Sequence, residues 1–391
     1  MEKNDRMKKI VSKRSMIKPF LAIDMLTQAN KLKSKGADIV HMDVGEPGIK
    51  PPENLLKHLK NLIDREELGY TEPIGIPDLR HKIAEHYSYW YGSKISSNNI
   101  AVTAGASGAF VLSLLALFDV GDEVAIMTPY YPAYINTLKA LGLNVTLIKG
   151  SVNNGFQPTL KLLQEIRSDY KGLVIASPAN PTGSIINKDE MILIANWCKE
   201  KNIRIISDEI YHGIEFETKS DTMFKYNNNS IVINSFSKYF NMTGWRLGWI
   251  VASDDLIETI EKLSMALFLC PSNLAQKLSL KVINDYSILD DNIKIYKNNR
   301  DFLIDEFVKI GLTNFSPADG AFYLYLDVSK ITSDSKDLAL KLLNEAGVSC
   351  TPGHDFDDIN GHKYIRFSYA GEFNNIQKAA YRITNWVKSN S

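Results

Sequence analysis

Leu173-Val174-Ile175-Ala176, then 188–201 (Lys-Asp-Glu-Met-Ile-Leu-Ile-Ala-Asn-Trp-Cys-Lys-Glu-Lys), then Ile203-Arg204-Ile205-Ile206-Ser207-Asp208: the reading of this stretch decides the architecture. The first and third segments are short, nearly continuous apolar runs, as expected of strands buried on both faces. The segment between them carries apolar residues at helical spacing and is long enough for about four turns. A strand, a crossover helix and a second strand of this kind make a parallel pair. Upstream, strands are expected at 100–104, 123–127 and 144–148, with helices at 109–118, 135–141 and 160–165. Downstream, strands are expected at 231–234 and 246–251. The pattern predicts an α/β domain with a mostly parallel sheet covered on both faces, spanning roughly 48–283. After it the pattern changes. A long amphipathic helix at 292–310 precedes two segments, 321–326 and 364–368, that alternate like strands exposed on one face. A helix near 336–346 lies between them, so the remainder reads as a second, α+β domain.

Composition narrows the function classes. Among 391 residues, Lys plus Arg and Asp plus Glu are 45 each, for a net charge of zero. That balance argues against a nucleic-acid partner and against a polybasic membrane surface. Hydrophobic residues make up 45% and aromatics 10%, enough for a large core. The three cysteines, Cys198, Cys270 and Cys350, are far apart and form no CxxC pair. A disulfide framework and a cysteine-based metal site are therefore not expected, and a reducing, cytoplasmic setting is. The longest apolar run, 109–118, is about half of the ~20 residues a bilayer span needs, so no membrane association is expected. The basic N-terminus (Lys3, Arg6, Lys8, Lys9, Lys13, Arg14) is interrupted by Glu2 and Asp5 and reads as a solvated arm.

Polar residues gather where strands end and helices begin, the place where open α/β sheets hold ligands. Ala104-Gly105-Ala106-Ser107-Gly108 joins a strand to a helix with small residues, whose N–H groups can face a phosphate or merely shape a turn. Ser177-Pro178-Ala179-Asn180-Pro181-Thr182-Gly183 follows another strand, and the proline restricts Asn180. Asp208, just past an apolar strand, is either a helix cap or a buried carboxylate that needs a facing cation. Ser235-Phe236-Ser237-Lys238, followed by Met242-Thr243-Gly244-Trp245-Arg246-Leu247-Gly248-Trp249, places a lysine between hydroxyls and an arginine. The hydroxyls and Arg246 suit a phosphate, and the lysine suits a Schiff base with an aldehyde. Arg366, inside an apolar strand, is either a cation on an exposed face or a bidentate receptor for a carboxylate.

The run Ser-x-Ser-Lys-x3-Met-Thr-Gly-Trp-Arg-x-Gly resembles the signature of the class I/II aminotransferases, the fold-type I enzymes that use pyridoxal 5′-phosphate. Ala-Gly-Ala-Ser-Gly-Ala, Asn-Pro-Thr-Gly, Asp-Glu-x-Tyr and the C-terminal arginine follow in that family's order. Val44-Gly45-Glu46-Pro47 and Tyr70-x4-Gly75-x2-Asp78-Leu79-Arg80 match as well, so the likeness runs from about Ser15 to the end. It implies a large cofactor-binding domain at 48–285 around a seven-stranded sheet. It also implies a smaller domain built from 286–391 together with part of an N-terminal segment, 1–47.

The resemblance also implies roles. Lys238 holds the cofactor aldehyde and later shuttles a proton, Asp208 sits against the pyridine nitrogen, and Tyr211 and Asn180 reach the ring oxygen. Tyr131 stacks on the ring, with Tyr130 as the alternative register. Gly105, Ala106, Ser107, Ser235, Ser237 and Arg246 hold the phosphate, joined by Tyr70 from a neighbouring subunit in a homodimer with shared sites. Arg366, Asn180 and the Gly45 backbone bind the substrate carboxylate. His212 is expected to pack rather than react, and Trp245 and Trp249 to lie in the core through strand burial. The activity implied is ping-pong exchange between an L-amino acid and a 2-oxo acid; a C–S β-lyase on the same lysine is the alternative. Ser107 stands where one bacterial aspartate-specific subgroup has a lysine, which leaves alanine-like, aromatic and aspartate donors level.

Overall fold

Three sheets organise the chain, whose computed structural model describes residues 11–48, 53–65, 68–166, 169–283 and 285–390. Glu2, Lys3, Asp5, Arg6, Lys8 and Lys9 of the basic arm lie outside the described residues. The strands are β1 (Val40–His41), β2 (Ile100–Thr103), β3 (Glu123–Thr128), β4 (Asn144–Lys149), β5 (Gly172–Ala176) and β6 (Arg204–Asp208). They continue with β7 (Ile231–Ser235), β8 (Gly248–Val251), β9 (Tyr323–Asp327), β10 (Val348–Ser349), β11 (Thr351–Pro352) and β12 (Tyr364–Ser368). The large sheet has seven strands in the order β2-β8-β7-β6-β5-β3-β4. Within it β8 alone runs against its neighbours, β7 and β2; the other pairs are parallel.

The apolar strands are continuous because both of their faces are covered. Leu173, Ile175, Ile205, Val232 and Trp249 point into one core, and Val174, Ile206, Ile231, Ile233 and Ile250 into another on the opposite face. The helix Lys188–Glu200 packs Met191, Ile194 and Trp197 into the first. Gly105–Leu117 packs Phe110, Leu112 and Leu114 into the second. Each such side chain fully buried contributes about 1.5–3 kcal/mol relative to exposure. Helix ends follow local chemistry: Asn187 caps Lys188–Glu200 by accepting the Asp189 N–H at 2.8 Å. Pro132 opens Pro132–Leu141, and Gly142, with φ +82°, closes it.

The smaller sheets are an antiparallel trio, β11-β12-β9, and a parallel pair, β1-β10, that ties the N-terminal segment to the C-terminal part of the chain. Here two expectations fail. The first is that β9 and β12 would expose one face; instead all but Asp327 and Tyr364 are buried. Leu324, Leu326, Ile365 and Phe367 face the main core, with the Phe367 ring 5.4 Å from that of Phe307. The alternate residues are covered too: Tyr325 packs edge-on to Phe156 and Phe356. The second failure is a strand over 246–251. It begins only at Gly248, because Thr243–Trp245 makes a 3-10 turn and Arg246 adopts a left-handed conformation, φ +52°. Trp249 is therefore a strand residue in the core as expected, whereas Trp245 packs half-buried from the turn. The long helix also starts earlier than its amphipathic stretch suggests, running Tyr286–Val308.

Candidate active site

The carboxyl ends of β3, β5, β6 and β7 share one edge of the large sheet, and a cavity of about 470 Å³ opens there. That size suits a small-molecule site. The strand ends and the loops after them contribute Tyr131, Ala176, Asn180, Asp208, Tyr211, Ser237 and Lys238. The N-terminal segment contributes Gly45 and Glu46, and the small sheet supplies Tyr323 from β9 and Arg366 from β12.

Asp208 is buried at the last position of β6. Burial pushes its carboxyl up to about 6, although the Tyr134 hydroxyl, the Ile210 N–H and Lys238 all favour the anion. Tyr134 Oη donates to Oδ2 at 2.5 Å and the Ile210 N–H to Oδ1 at 3.2 Å. An anion so desolvated gains most from a cation placed against it. Lys238 is half-buried at the same cavity and donates from Nζ to the Gly45 carbonyl at 2.5 Å. Burial, then Arg366 and Arg246, bring its amine down to about 8, against the opposing pull of Glu46 and Asp208. An amine brought down this far keeps a minor but far larger neutral, nucleophilic fraction near physiological pH than an ordinary lysine does.

Arg366 is buried, which decides between its two readings. Its guanidinium lies between the rings of Tyr323 and Phe356, 4.5 and 4.8 Å from their centroids. It donates to Asn180 Oδ1 at 2.9 Å, to the Asp43 carbonyl at 2.5 Å and to Thr351 Oγ1 at 3.3 Å. Nε has no hydrogen-bond partner among the described residues. A buried, stacked guanidinium with an uncommitted N–H is a receptor awaiting an anion. At the other end, Ala106 and Ser107 sit in the first turn of Gly105–Leu117, where backbone N–H groups lack helical partners. Arg246 Nη1 is pinned to the Thr243 carbonyl at 3.1 Å. A Cβ on Gly105 would stand 2.7 Å from Arg246 Nη2, so glycine lets the guanidinium close over this turn. A doubly anionic group fits there.

Most of the expected site residues line the cavity, and three do not. Gly105 lies behind Arg246. Ser235 is turned inward, its Oγ accepting the Ser237 N–H at 2.8 Å. Tyr70 is 84% exposed and outside the cavity. Between the two tyrosine registers, Tyr131 lines the cavity, while Tyr130 hydrogen-bonds from its backbone to the Phe356 carbonyl. His212 is buried, its Nε2 2.9 Å from the Ser177 carbonyl and its Nδ1 2.6 Å from the Tyr91 hydroxyl. Burial lowers it to about 4, so it is neutral and structural.

Sequence reasoning missed Tyr134, Tyr323, Phe20 and Asp355. Tyr134 was within reach of a sequence argument, lying one turn beyond Tyr131 on the helix that Pro132 opens. Tyr323 donates to or accepts from the Tyr211 hydroxyl at 2.6 Å. A Cβ on Gly45 would stand 1.7 Å from the Tyr323 hydroxyl. Gly45→Ala is therefore expected to displace Tyr323, break that bond and lower kcat/KM about tenfold or more. A wild-type value would contradict the packing.

Comparison with known proteins agrees with this geometry. The family model described as Aminotransferase class I and II matches residues 37–383. A valine–pyruvate aminotransferase of Mycobacterium tuberculosis is 38% identical over 383 residues, covering 97% of this chain and 99% of that one. An aspartate aminotransferase of Sulfurisphaera tokodaii is 32% identical and covers 91% of each. The crystal structure of an aminotransferase from Mycobacterium tuberculosis superposes with a TM-score of 0.94 at 38% identity, covering 97% and 99% of the two chains. None of these relatives supports the lyase alternative. By its motifs, its fold and these matches, the chain belongs to the class I and II aminotransferases.

Proposed function

We propose that Lys238, Asp208, Arg366 and the phosphate-facing turn divide the work of pyridoxal 5′-phosphate-dependent transamination between an L-amino acid and a 2-oxo acid. When bound, the cofactor supplies an aldehyde that accepts an amine and a ring that delocalises the electron pair left at the amino acid's α-carbon. Lys238 would hold the aldehyde, and its amine, when free, would take and return the α-proton. In the chain as it stands that amine donates to the Gly45 carbonyl, which keeps it in the cavity. Asp208 would pair with the ring nitrogen, a cation that would offset the carboxylate's burial. Tyr211 and Asn180 would serve the ring oxygen and Tyr131 the ring itself. Ala106, Ser107, Ser237 and Arg246 hold the phosphate, with Gly105 giving Arg246 room and Ser235 fixing the Ser237 backbone. Arg366 grips the substrate α-carboxylate beside Asn180 and Gly45, so that orientation selects which bond at the α-carbon breaks.

The observation that carries this reading is that Lys238 and Asp208 open onto one cavity with Arg366 across from them. Cofactor-loaded enzyme given an amino acid and a 2-oxo acid is expected to form the new amino acid and the new oxo acid in equal amounts. Ammonia released without an acceptor would mean lyase chemistry instead.

The reading includes a homodimer working in the cytoplasm, with a large unit at 48–285 and a small one from 1–47 and 286–391. Support for the dimer comes from the surface around Tyr70. The Asn273 amide donates to the Gly69 carbonyl, and the Thr71 N–H to Cys270 Sγ, which sets Tyr70 beside exposed Leu267, Phe268 and Leu269. An apolar patch of this kind suits burial against a second copy. Tyr70→Phe is expected to weaken cofactor retention severalfold in the dimer; a fully active monomer in sedimentation would refute the shared site. For the cytoplasmic setting the support is that Cys198, Cys270 and Cys350 are not paired with one another in the fold. No helix among the described residues is long and apolar enough to cross a membrane.

A further inference from the structure

The relatives' names divide between valine with pyruvate and aspartate, but the charge distribution in this cavity does not divide. Its lining holds three cations, Lys238, Arg246 and Arg366. On the reading above, which this inference rests on, all three are committed: to the aldehyde, the phosphate and the α-carboxylate. The carboxylate lining that remains, once Asp208 is assigned to the ring nitrogen, is Glu46 and Asp355. Glu46 Oε1 already accepts the Thr243 hydroxyl at 2.6 Å. Among the described residues of this chain, no cation is left in the cavity for a second carboxylate on the substrate.

What is left is apolar. Phe20, Ala22 and Ile23 enter the cavity from the start of the helix Leu21–Lys33, opposite Tyr131 and Phe356. Phe20 packs edge-on to Tyr131 at 6.1 Å, and Phe356 lies against the Arg366 guanidinium, so this wall adjoins the carboxylate clamp. Its placement depends on Asp355. The helix has Phe20 at its N-cap, which offers no side-chain acceptor. Asp355 fills the gap from the other end of the chain: Oδ1 accepts the Leu21 N–H at 2.9 Å and Oδ2 the Ala22 N–H at 3.1 Å. Burial raises its carboxyl above the ordinary carboxylate value, with the two N–H groups and Arg366 pulling the other way.

We infer that this end of the cavity is the subsite for an apolar, monocarboxylic substrate side chain, and that Asp355 both seats the wall carrying Phe20 and Ile23 and repels a distal carboxylate. A dicarboxylate entering here meets an acid and no cation, which leaves a desolvated charge unpaired. Both half-reactions of a ping-pong exchange use the same cavity, so the preference extends to the acceptor: a short apolar 2-oxo acid over 2-oxoglutarate. Asp355 is thus a positioning residue that also sets specificity.

The test is a donor panel on cofactor-loaded enzyme, following the single-turnover spectral change of the bound cofactor. L-valine, L-leucine and L-alanine are compared with L-aspartate and L-glutamate. The best apolar donor is expected to exceed both dicarboxylates in kcat/KM by about 100-fold. Dicarboxylates within tenfold of it would overturn the inference while leaving transamination intact; conversion by no donor would overturn transamination itself. Asp355→Asn removes the charge and keeps an acceptor for one of the two helix N–H groups, at the cost of the other. It is expected to narrow the valine-to-aspartate ratio about tenfold. A ratio that stays constant while both rates fall together would reduce Asp355 to a structural cap. Ile23→Arg, which supplies the absent cation from a partly exposed position, is expected to raise aspartate turnover; no rise would count against the placement of the subsite.

Discussion

Lys238→Ala is expected to abolish transamination, with kcat/KM falling by at least about 10⁴-fold, because one amine serves as both covalent carrier and proton shuttle. The fold should survive the change. Lys238 is half-buried, and its side chain donates to the Gly45 carbonyl, its one hydrogen bond among the described residues. The variant should therefore remain cooperative in thermal unfolding and still take up the cofactor through its phosphate and ring nitrogen contacts. Covalent attachment would be lost. The wild type adds a pH signature: attachment needs the neutral amine, so the rate of cofactor loading should climb with pH and level off above about 8. The linkage has the same sign. Since the folded-state amine loses its proton more readily than the unfolded one, the burial penalty is fully present below about 8. It is relieved as pH rises beyond that value. Retained turnover in Lys238→Ala would remove the assignment.

Arg366→Leu is the second large effect. Leucine fills much of the space between Tyr323 and Phe356 but forms no hydrogen bond, so Asn180, the Asp43 carbonyl and Thr351 all lose their donor. The substrate carboxylate loses a charge-assisted pair of bonds, about 3 kcal/mol in all, or roughly 100-fold in KM for amino and oxo acids alike. Cofactor affinity should change much less, since the phosphate is assigned to the Ala106–Ser107 turn, Ser237 and Arg246 rather than to Arg366. Arg366→Lys retains the charge but not the fork, and should fall between the two. A KM unchanged in Arg366→Leu would contradict the clamp, and equal losses of substrate and cofactor would mean a general collapse of the site.

Much of this was legible in the sequence for a physical reason. Parallel strands covered on both faces must be continuously apolar, so β5, β6 and β7 declare themselves, and Asp208 and Lys238 stand out because they break the pattern at the end of β6 and just after β7. What escaped depends on contacts between distant parts of the chain or on backbone conformations that residue type does not announce. The left-handed turn at Arg246 shortened a strand that its apolar run had predicted. The alternation in β9 and β12 suggested a solvent-facing side, but the covering residues come from loops, Phe156 from far upstream and Phe356 from the segment leading into β12. The Ser235 hydroxyl accepts the Ser237 N–H, a contact that residue spacing does not announce. Asp355 reaches across 334 positions to cap a helix, a relation that no local pattern encodes.

The central claim concerns one bond and one residue. Borohydride reduction of the cofactor-loaded enzyme, followed by proteolysis and mass spectrometry, fixes the cofactor to whichever side chain carries it. A single modified residue, Lys238, is the predicted result, with the label absent from Lys238→Ala. A label on any other lysine, or none, would contradict the account.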